Sequence, residues 1–413
     1  MKSLLNDLFV EAIRVADADV VLGGFLPKDQ SGKVTVIGAG KGAAKMARAF
    51  EEAWDGEVSG MVITRYGHAV PTKYVEVVEA SHPVPDKAGQ DAAARMMEMV
   101  EGLGEDDLVV ALISGGGSAL LTLPVESITL EEKQSVNKAL LHSGATIEEI
   151  NCVRKHLSAI KGGRLAKACY PAKVLTLSIS DVPGDDESVI ASGPTVADPT
   201  TVADARTILE RYRIEGYSDH LSESIKPDDS CWAKTDYKLI ATPQISLQAV
   251  ADMAKAKGIP AMILSDRIEG EAREVAKVHA AIVRQIQDWG QPIQPPCLLL
   301  SGGEVTVTIK NPDGRGGPNG EFVLSLMDQL RDVDNVYALA ADTDGIDGSE
   351  DNAGAWFDPT SITRMKERGL NLHAALDDNL SYDFFEAMGD LFKPGPTHTN
   401  VNDLRMIYIG EKK

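Results

Sequence analysis

The sequence predicts an α/β protein of two domains, with a parallel sheet in an N-terminal domain (1–230) and a mixed sheet in a C-terminal domain (231–413). Three observations carry that prediction. Short, continuously apolar runs alternate with longer helical patterns along nearly the whole chain. A strand apolar at successive positions is buried on both faces, as in a parallel sheet between helices. A chain of 413 residues also exceeds what one hydrophobic core usually supports. Finally, Tyr212–Asp236 is polar and lacks a long apolar period, so the domain boundary is expected there, near residue 230.

The elements follow in order. Leu4, Leu5, Leu8 and Ala12 share one face of an amphipathic helix, and Asp7, Glu11 and Arg14 interrupt what would be a signal-peptide core. The strand candidates are Val34–Gly38, Gly60–Thr64, Val75–Ala80, Leu108–Ser114, Val174–Ser180, Lys238–Thr242, Ala261–Ser265, Leu298–Ser301 and Val336–Ala341. Helices are expected over Asp91–Glu101, Leu130–His142, Ser246–Lys257 and Glu271–Trp289. "EVTVTI", from Glu304, alternates like a half-exposed antiparallel strand. No stretch approaches the roughly 18 uninterrupted apolar residues of a membrane span. The net charge of −21 with no basic run argues against nucleic acid and anionic membrane as partners. Cys152, Cys169, Cys231 and Cys297 are scattered without metal or disulfide spacing, which suits a reducing cytoplasm.

Nearly every apolar run ends in small or polar residues, and open α/β sheets bind ligands at the carboxyl ends of their strands. In "VIGAGKGAAKMA" (Val36–Ala47), Gly38, Gly40 and Ala43 satisfy the dinucleotide pattern G-x-G-x-x-A. The acid such a site wants at the end of the next strand is missing; Thr64 and Arg65 stand there, and an arginine suits a 2′-phosphate. Lys41, beside the amides of a helix start, suits a phosphoryl group or a carboxylate. Dinucleotide cradle, anion grip and plain turn all stay open on these residues.

"LISGGGSAL" sets Gly115, Gly116 and Gly117 between Ser114 and Ser118, a backbone nest for polyphosphate or a tight turn. It lacks the ending of a P-loop and the spacing of a hydrolase nucleophile elbow. Arg154, Lys155, His156, Lys161 and Arg164 form the densest basic segment of an acidic chain, beside the Gly162-Gly163 break: either a solvated helix surface or an anion grip, and a candidate for holding a substrate carboxylate or ATP. Asp181, Asp185 and Asp186 follow one strand, and Asp342, Asp344, Asp347, Glu350 and Asp351 follow another. The second cluster is no EF-hand, because Asp347 stands at the glycine position and Ala353 at the twelfth. Carboxylates this close repel unless a hard cation or substrate hydroxyls share them, and magnesium with phosphate oxygens meets that need. Gly302 and Gly303, then Lys393–Leu404, add further glycine and hydroxyl turns.

Taken in order, "GAGKGAAKMA", "SHPVPD", "LISGGGSALL", "RKHLSAIKGGRLA", "SDVPGDDESVIASGPT", "LSGGE", "GRGGPNGEF", "DTDGIDG" and "GPTHTNVNDL" resemble the glycerate 2-kinase family, from about Leu4 to Ile409. The resemblance implies a Rossmann-like N-terminal domain, a MOFRL C-terminal domain and an active site in the cleft between them. It also implies phosphorylation of D-glycerate at the 2-hydroxyl by ATP with Mg²⁺, giving 2-phosphoglycerate and ADP. Lys41 matches the family's active-site lysine and Ser114–Ser118 its phosphate-binding turn. Asp181 and the Asp342, Asp344 and Asp347 cluster match its acidic positions, the cluster as the metal set. Gly38, Gly40, Lys155, Gly302 and Gly303 are the remaining candidates for holding the nucleotide. Arg315 is the candidate for an active-site arginine that some members carry where Pro318 stands here. Ser81, Gly320 and His398 also depart from the family pattern. Many members are labelled hydroxypyruvate reductase, so an NAD(P)H-dependent reductase is the alternative; a homodimer is compatible with either.

Overall fold

The computed structural model describes residues 1–28 and 30–412. Its principal elements, in chain order, begin with helix α1 (Lys2–Arg14), strand β1 (Val34–Ala39), helix α2 (Ala43–Ala53), and strands β2 (Val58–Arg65) and β3 (Val75–Ala80). Helix α3 (Lys87–Val100), strand β4 (Leu108–Ile113), helices α4 (Leu130–Ser143) and α5 (Ile147–His156), and strands β5 (Lys173–Ile179) and β6 (Thr235–Ala241) follow. Then come α6 (Pro243–Ala256), β7 (Ala261–Ile263), α7 (Ala272–Trp289), β8 (Cys297–Ser301) and α8 (Pro318–Gln329). The last strands are β9 (Val336–Asp342), β10 (Gly354–Phe357), β11 (Leu391–Phe392) and β12 (Asp403–Ile409). None of the described helices is long and apolar enough to cross a membrane.

Packing divides the chain into two units, Ala18–Ile240 and Met1–Asp17 with Ala241–Lys413. The expected boundary near 230 falls at the short turn Ser230–Lys234, which leads into β6. Strand β6 completes the first sheet, whose order is β3-β2-β1-β4-β5-β6. The β3–β2, β2–β1, β1–β4 and β4–β5 pairs are parallel. Strands β1 and β4 are buried at every position, as continuous apolarity requires. Ile37, Ala39, Met61, Ile63, Val109 and Ala111 share a core with Ala92, Ala93 and Met96 of α3. Capping boxes start α4 at Thr129 with Glu132, and α5 at Thr146 with Glu149, so both starts are written in the local sequence.

The second unit holds a mixed sheet in the order β11-β10-β9-β12-β8-β7. Only β7 runs parallel to its neighbour; the other pairs are antiparallel. Alternate residues serve opposite layers. Cys297, Leu299, Ala338, Ala340 and Ile407 face the core shared with α7 and α8, while Leu298, Leu300, Leu339, Ala341 and Met406 face that of α1 and α6. The antiparallel strand expected at "EVTVTI" is not formed: Val305–Thr306 pair in parallel with Gly270–Glu271 alone. The antiparallel character comes instead from β10, β11 and β12, which the sequence pattern did not reveal.

Helix α1 belongs to this second unit. Phe9 is buried and meets Phe392 edge-on at 4.9 Å, and Ser246 Oγ donates to the Ala12 carbonyl at 2.9 Å. Lys2 reaches the Asp390 and Asp358 carboxylates at 2.7 and 3.0 Å. The Phe9→Ala substitution should therefore cost roughly 3–5 kcal/mol of stability through the cavity it leaves. Urea unfolding of the full chain measures this, and an unchanged midpoint would show that α1 is not part of the core.

Candidate active site

Strand register positions the carboxyl edge of the first sheet. Ala39 pairs with Ile63 and Ile113, so Gly40, Thr64 and Ser114 stand level one residue further on. Gly40 has φ +145°, and a Cβ there would overlap the side chain and carbonyl of Ser114. Only glycine permits that approach. Ser114 Oγ accepts from the Gly42 N–H at 3.0 Å, the Lys41 N–H donates to the Gly115 carbonyl at 2.7 Å, and Thr64 Oγ1 donates to the Lys41 carbonyl at 3.3 Å. Helix α2 thus begins pinned to the Ser114–Ser118 loop, and its cap residue Gly42 offers no side chain to its amides.

Gly116 has φ +80°, and a Cβ there would meet the His82 ring at 3.1 Å and Lys41 Cγ at 3.3 Å. Lys41 and His82 therefore both lie against the glycine loop. A lysine, an imidazole and a helix N-terminus gathered at one turn create a field suited to an oxyanion. Within the loop the Gly117 N–H is taken by the Ser114 carbonyl at 3.2 Å. Ser118 Oγ lies 2.9 Å from Ser192 Oγ, which donates to Asn151 Oδ1 at 3.0 Å. Ala191 and Ser192 are held at φ +52° and +61°, a left-handed conformation costly for residues with a Cβ. Asp181 lies just beyond β5, at the same edge of the sheet.

Other candidates take different roles. Gly38 lies inside β1, where a Cβ would overlap the Leu112 carbonyl of β4, so it serves strand packing. Lys155 is buried and paired with the equally buried Asp198 at 3.4 Å. Burial alone would raise the Asp198 carboxyl, but the Lys155 ammonium and the Ser224 and Thr200 hydroxyls hold it below its ordinary value. Lys155 is thereby committed inside the fold. Arg164 donates to the carbonyls of Lys155, Lys161, Ser222 and Glu223 and staples one loop to another.

In the second unit, Gly302 and Gly303 are packed against backbone. The Gly302 N–H donates to Ser265, its carbonyl accepts from Ile268, and a Cβ on Gly303 (φ +107°) would overlap Ile268. Neither presents an open nest. Asp342 Oδ1 accepts from the Asp344 N–H and Asp344 Oδ1 from the Ile346 N–H, both at 2.8 Å. Asp347 is buried and turned to the start of α8, accepting from the Asn319 N–H at 2.9 Å and the Gly320 N–H at 2.7 Å. Burial pushes its carboxyl up to about 7 against the pull of those amides, and Asp403 adds to the rise. Among the described residues no group of three or more His, Cys, Asp or Glu side chains is placed to hold a metal ion. The expected metal set is thus divided, because Asp347 serves a helix end.

Arg315 donates to Asp383 at 2.8 Å and Glu350 at 2.9 Å, with its guanidinium 4.4 Å from the Tyr382 ring centre. Lys393 flanks the same ring and donates to Tyr382 Oη at 3.0 Å. Asn319, Asp403 and Arg405 form a further polar network. Asn319 Nδ2 donates to Asp403 Oδ1 at 2.6 Å, and Asp403 pairs with the fully buried Arg405. Asn319 and Asp403 lie inside "GRGGPNGEF" and "GPTHTNVNDL", whereas no local pattern marks Arg405. His82 was visible in "SHPVPD", whereas Ser192 and Asn151 reach Ser118 only through the fold.

A family described as a domain of unknown function (DUF4147) matches residues 4–226, and the MOFRL family matches residues 297–403. A protein of Agrobacterium vitis that bears a provisional hydroxypyruvate reductase name is 50% identical over 99% of this chain and 94% of its own length. The glycerate 2-kinase of Pyrococcus horikoshii is 40% identical over 98% of this chain and 93% of its own. The crystal structure of glycerate kinase from Thermotoga maritima is 39% identical, with a TM-score of 0.91 over 99% of both chains.

Replacing Asp347 by Ala leaves two buried amides of α8 without their acceptor. A loss of roughly 1–3 kcal/mol is expected, with or without magnesium. Thermal melting in both conditions tests this; destabilisation seen only with magnesium present would return Asp347 to the metal set.

Proposed function

The chain belongs to the glycerate 2-kinase family, and on that premise we propose that it transfers the γ-phosphoryl group of ATP to the 2-hydroxyl of D-glycerate, yielding 2-phosphoglycerate and ADP. One observation carries the reading: Lys41 and His82 lie together against Gly116, beside the uncapped start of α2. Phosphoryl transfer asks a protein mainly for positioning and charge neutralisation. In this reading Lys41, with the turn at Ser114–Ser118, stabilises the phosphoryl oxygens as negative charge moves toward the leaving ADP. The 2-oxygen of glycerate forms the new bond to phosphorus, the bond to the β–γ bridging oxygen breaks, and Asp181 takes the hydroxyl proton. In the other unit, Arg315 is held on Tyr382 by the Asp383 and Glu350 carboxylates.

Magnesium enters this proposal only as the partner of ATP in solution. Asp347 is committed to α8, so the expected aspartate set does not fit a divalent ion and no step is routed through one. Four buried free cysteines accord with a cytoplasmic setting.

The reductase reading draws on the G-x-G-x-x-A run and on the name of the Agrobacterium relative. Against it, a dinucleotide fold keeps its glycines for close approach of the pyrophosphate. Here Gly38 is used against Leu112 and Gly40 against Ser114.

Two measurements test the proposal. The protein given D-glycerate, ATP and Mg²⁺ should release ADP and form 2-phosphoglycerate, while hydroxypyruvate with NADH or NADPH should show no oxidation above background. Hydride transfer without ADP release would overturn the kinase reading. Lys41→Ala should fold normally, since the residue sits at a turn, and lose roughly 100-fold or more in kcat/KM. Parent-like kinetics in that variant would remove Lys41 from the active site.

A further inference from the structure

Lys133 occupies a position where lysine is rarely found. It lies on α4 with Leu130, Val136 and Leu140, the buried face of the helix, and is 3% exposed. Its Nζ is buried and has no hydrogen-bond partner among the described residues. Two further cations belong to the same neighbourhood. Lys161 is fully buried, and its Nζ donates to the Ala191 carbonyl at 3.1 Å. Arg154, half-buried on α5, donates from Nε to Asn137 Oδ1 at 3.2 Å.

The charged groups that bear on Lys133 are Arg154 and Arg164, and those on Lys161 are Lys133 and Arg154; all are cations. The carboxylates that act on Arg164 are themselves engaged: Asp198 by Lys155 and Thr200, and Glu223 by Lys226. Burying cations together without an anion is costly, and a protein ordinarily pairs them or removes them. Burial together with Arg154 and Arg164 pulls the Lys133 ammonium down to about 7, and Lys161 is pulled well below its ordinary range by burial and by Lys133 and Arg154.

The cluster also abuts the glycine loop. Lys161 holds Ala191, a Cβ on Gly117 would lie 2.7 Å from Ala191 Cβ, and the adjoining Ser192 bonds Ser118. We propose that Lys133, Arg154 and Lys161 form an anion-binding site that takes the carboxylate of the hydroxy-acid substrate, leaving its 2-hydroxyl toward the Ser114–Ser118 loop. This rests on the kinase reading for the identity of the acid. A carboxylate fits better than a triphosphate because two of the three cations are almost wholly enclosed. The guanidinium of Arg154, at the more open side, offers a fork that matches two carboxylate oxygens.

The test uses the full-length protein, D-glycerate, and glycerol, in which a hydroxymethyl group replaces the carboxylate. D-glycerate should raise the melting temperature of the parent by mass action, while glycerol at the same concentration should not. Lys133→Met removes an unpaired buried cation, so the free variant should melt no lower than the parent. Its affinity for D-glycerate should fall roughly 10-fold or more, the loss expected for a charge-assisted hydrogen bond, with the KM for ATP unchanged. Arg154→Gln, at the open side, should weaken D-glycerate in the same way should Lys133→Met fail to fold. Calorimetry of the parent should show proton uptake on binding at pH 8, since the anion raises the Lys133 ammonium from about 7, and affinity should weaken as pH rises above that value. D-glycerate binding unchanged in the folded variants overturns the proposal, as does a rise confined to the KM for ATP, which would assign the site to nucleotide phosphate. A parent that binds D-glycerate through Lys133 yet forms no ADP would refute the kinase reading and leave the site standing.

Discussion

The close approach of β1 and β4 at their carboxyl ends is the constraint on which the first unit's chemistry depends. Where Gly40 meets Ser114 there is no space for a side chain, and the missing Cβ lets Ser114 Oγ reach the Gly42 N–H. That bond, with the Lys41 N–H held by the Gly115 carbonyl, fixes where α2 begins and where the Lys41 side chain leaves the backbone. His82, arriving after β3, is brought against the same Gly116 as Lys41. Any residue larger than glycine at position 40 would force the two turns apart and uncouple the lysine from the loop.

Charge is distributed in the first unit against the trend of the whole chain. The protein is strongly acidic, yet the interior beside the glycine loop holds cations. Lys155 and Arg164 are neutralised or saturated by local partners, and they tie α5 to the loops around Asp198 and Ser222. Such bonds shape the region. The cations near Ala191 lack that compensation, and the left-handed pair Ala191–Ser192 shows that the same segment carries backbone strain. Strain and uncompensated charge concentrated in one place are more typical of a binding site than of a scaffold.

In the second unit the acidic turn after β9 gives Asp347 to the start of α8. Asp347 acts as an internal cap for α8, and Asn319 links it to Asp403, which in turn holds the buried Arg405. This network joins the start of a helix to the central strand β12 and, through Arg405, to the Gly302 carbonyl. Arg315 stays outside it, braced on Tyr382 with 43% of its side chain exposed. Proximity in sequence placed Asp347 with Asp342 and Asp344, but the helix amides draw its side chain elsewhere.

The sequence by itself determined the α/β class, the strands of the parallel sheet, the amphipathic first helix, and the glycine turns around Lys41 and Ser114. These are local properties, set by the period of apolar residues and by backbone positions that tolerate only glycine. Lys133 was legible in principle, as a lysine on an otherwise apolar helix face. Tertiary structure alone decided that α1 packs with the distant C-terminal segment, that β12 lies at the heart of the second sheet, and that "EVTVTI" contributes only a two-residue pairing. It also decided which charges meet: Lys155 with Asp198, Arg405 with Asp403, and Asp347 with the amides of α8. The reason is physical: a strand's period shows that it will be buried but not beside which partner. The fate of a charged side chain is set by the groups that long-range packing brings within hydrogen-bond reach.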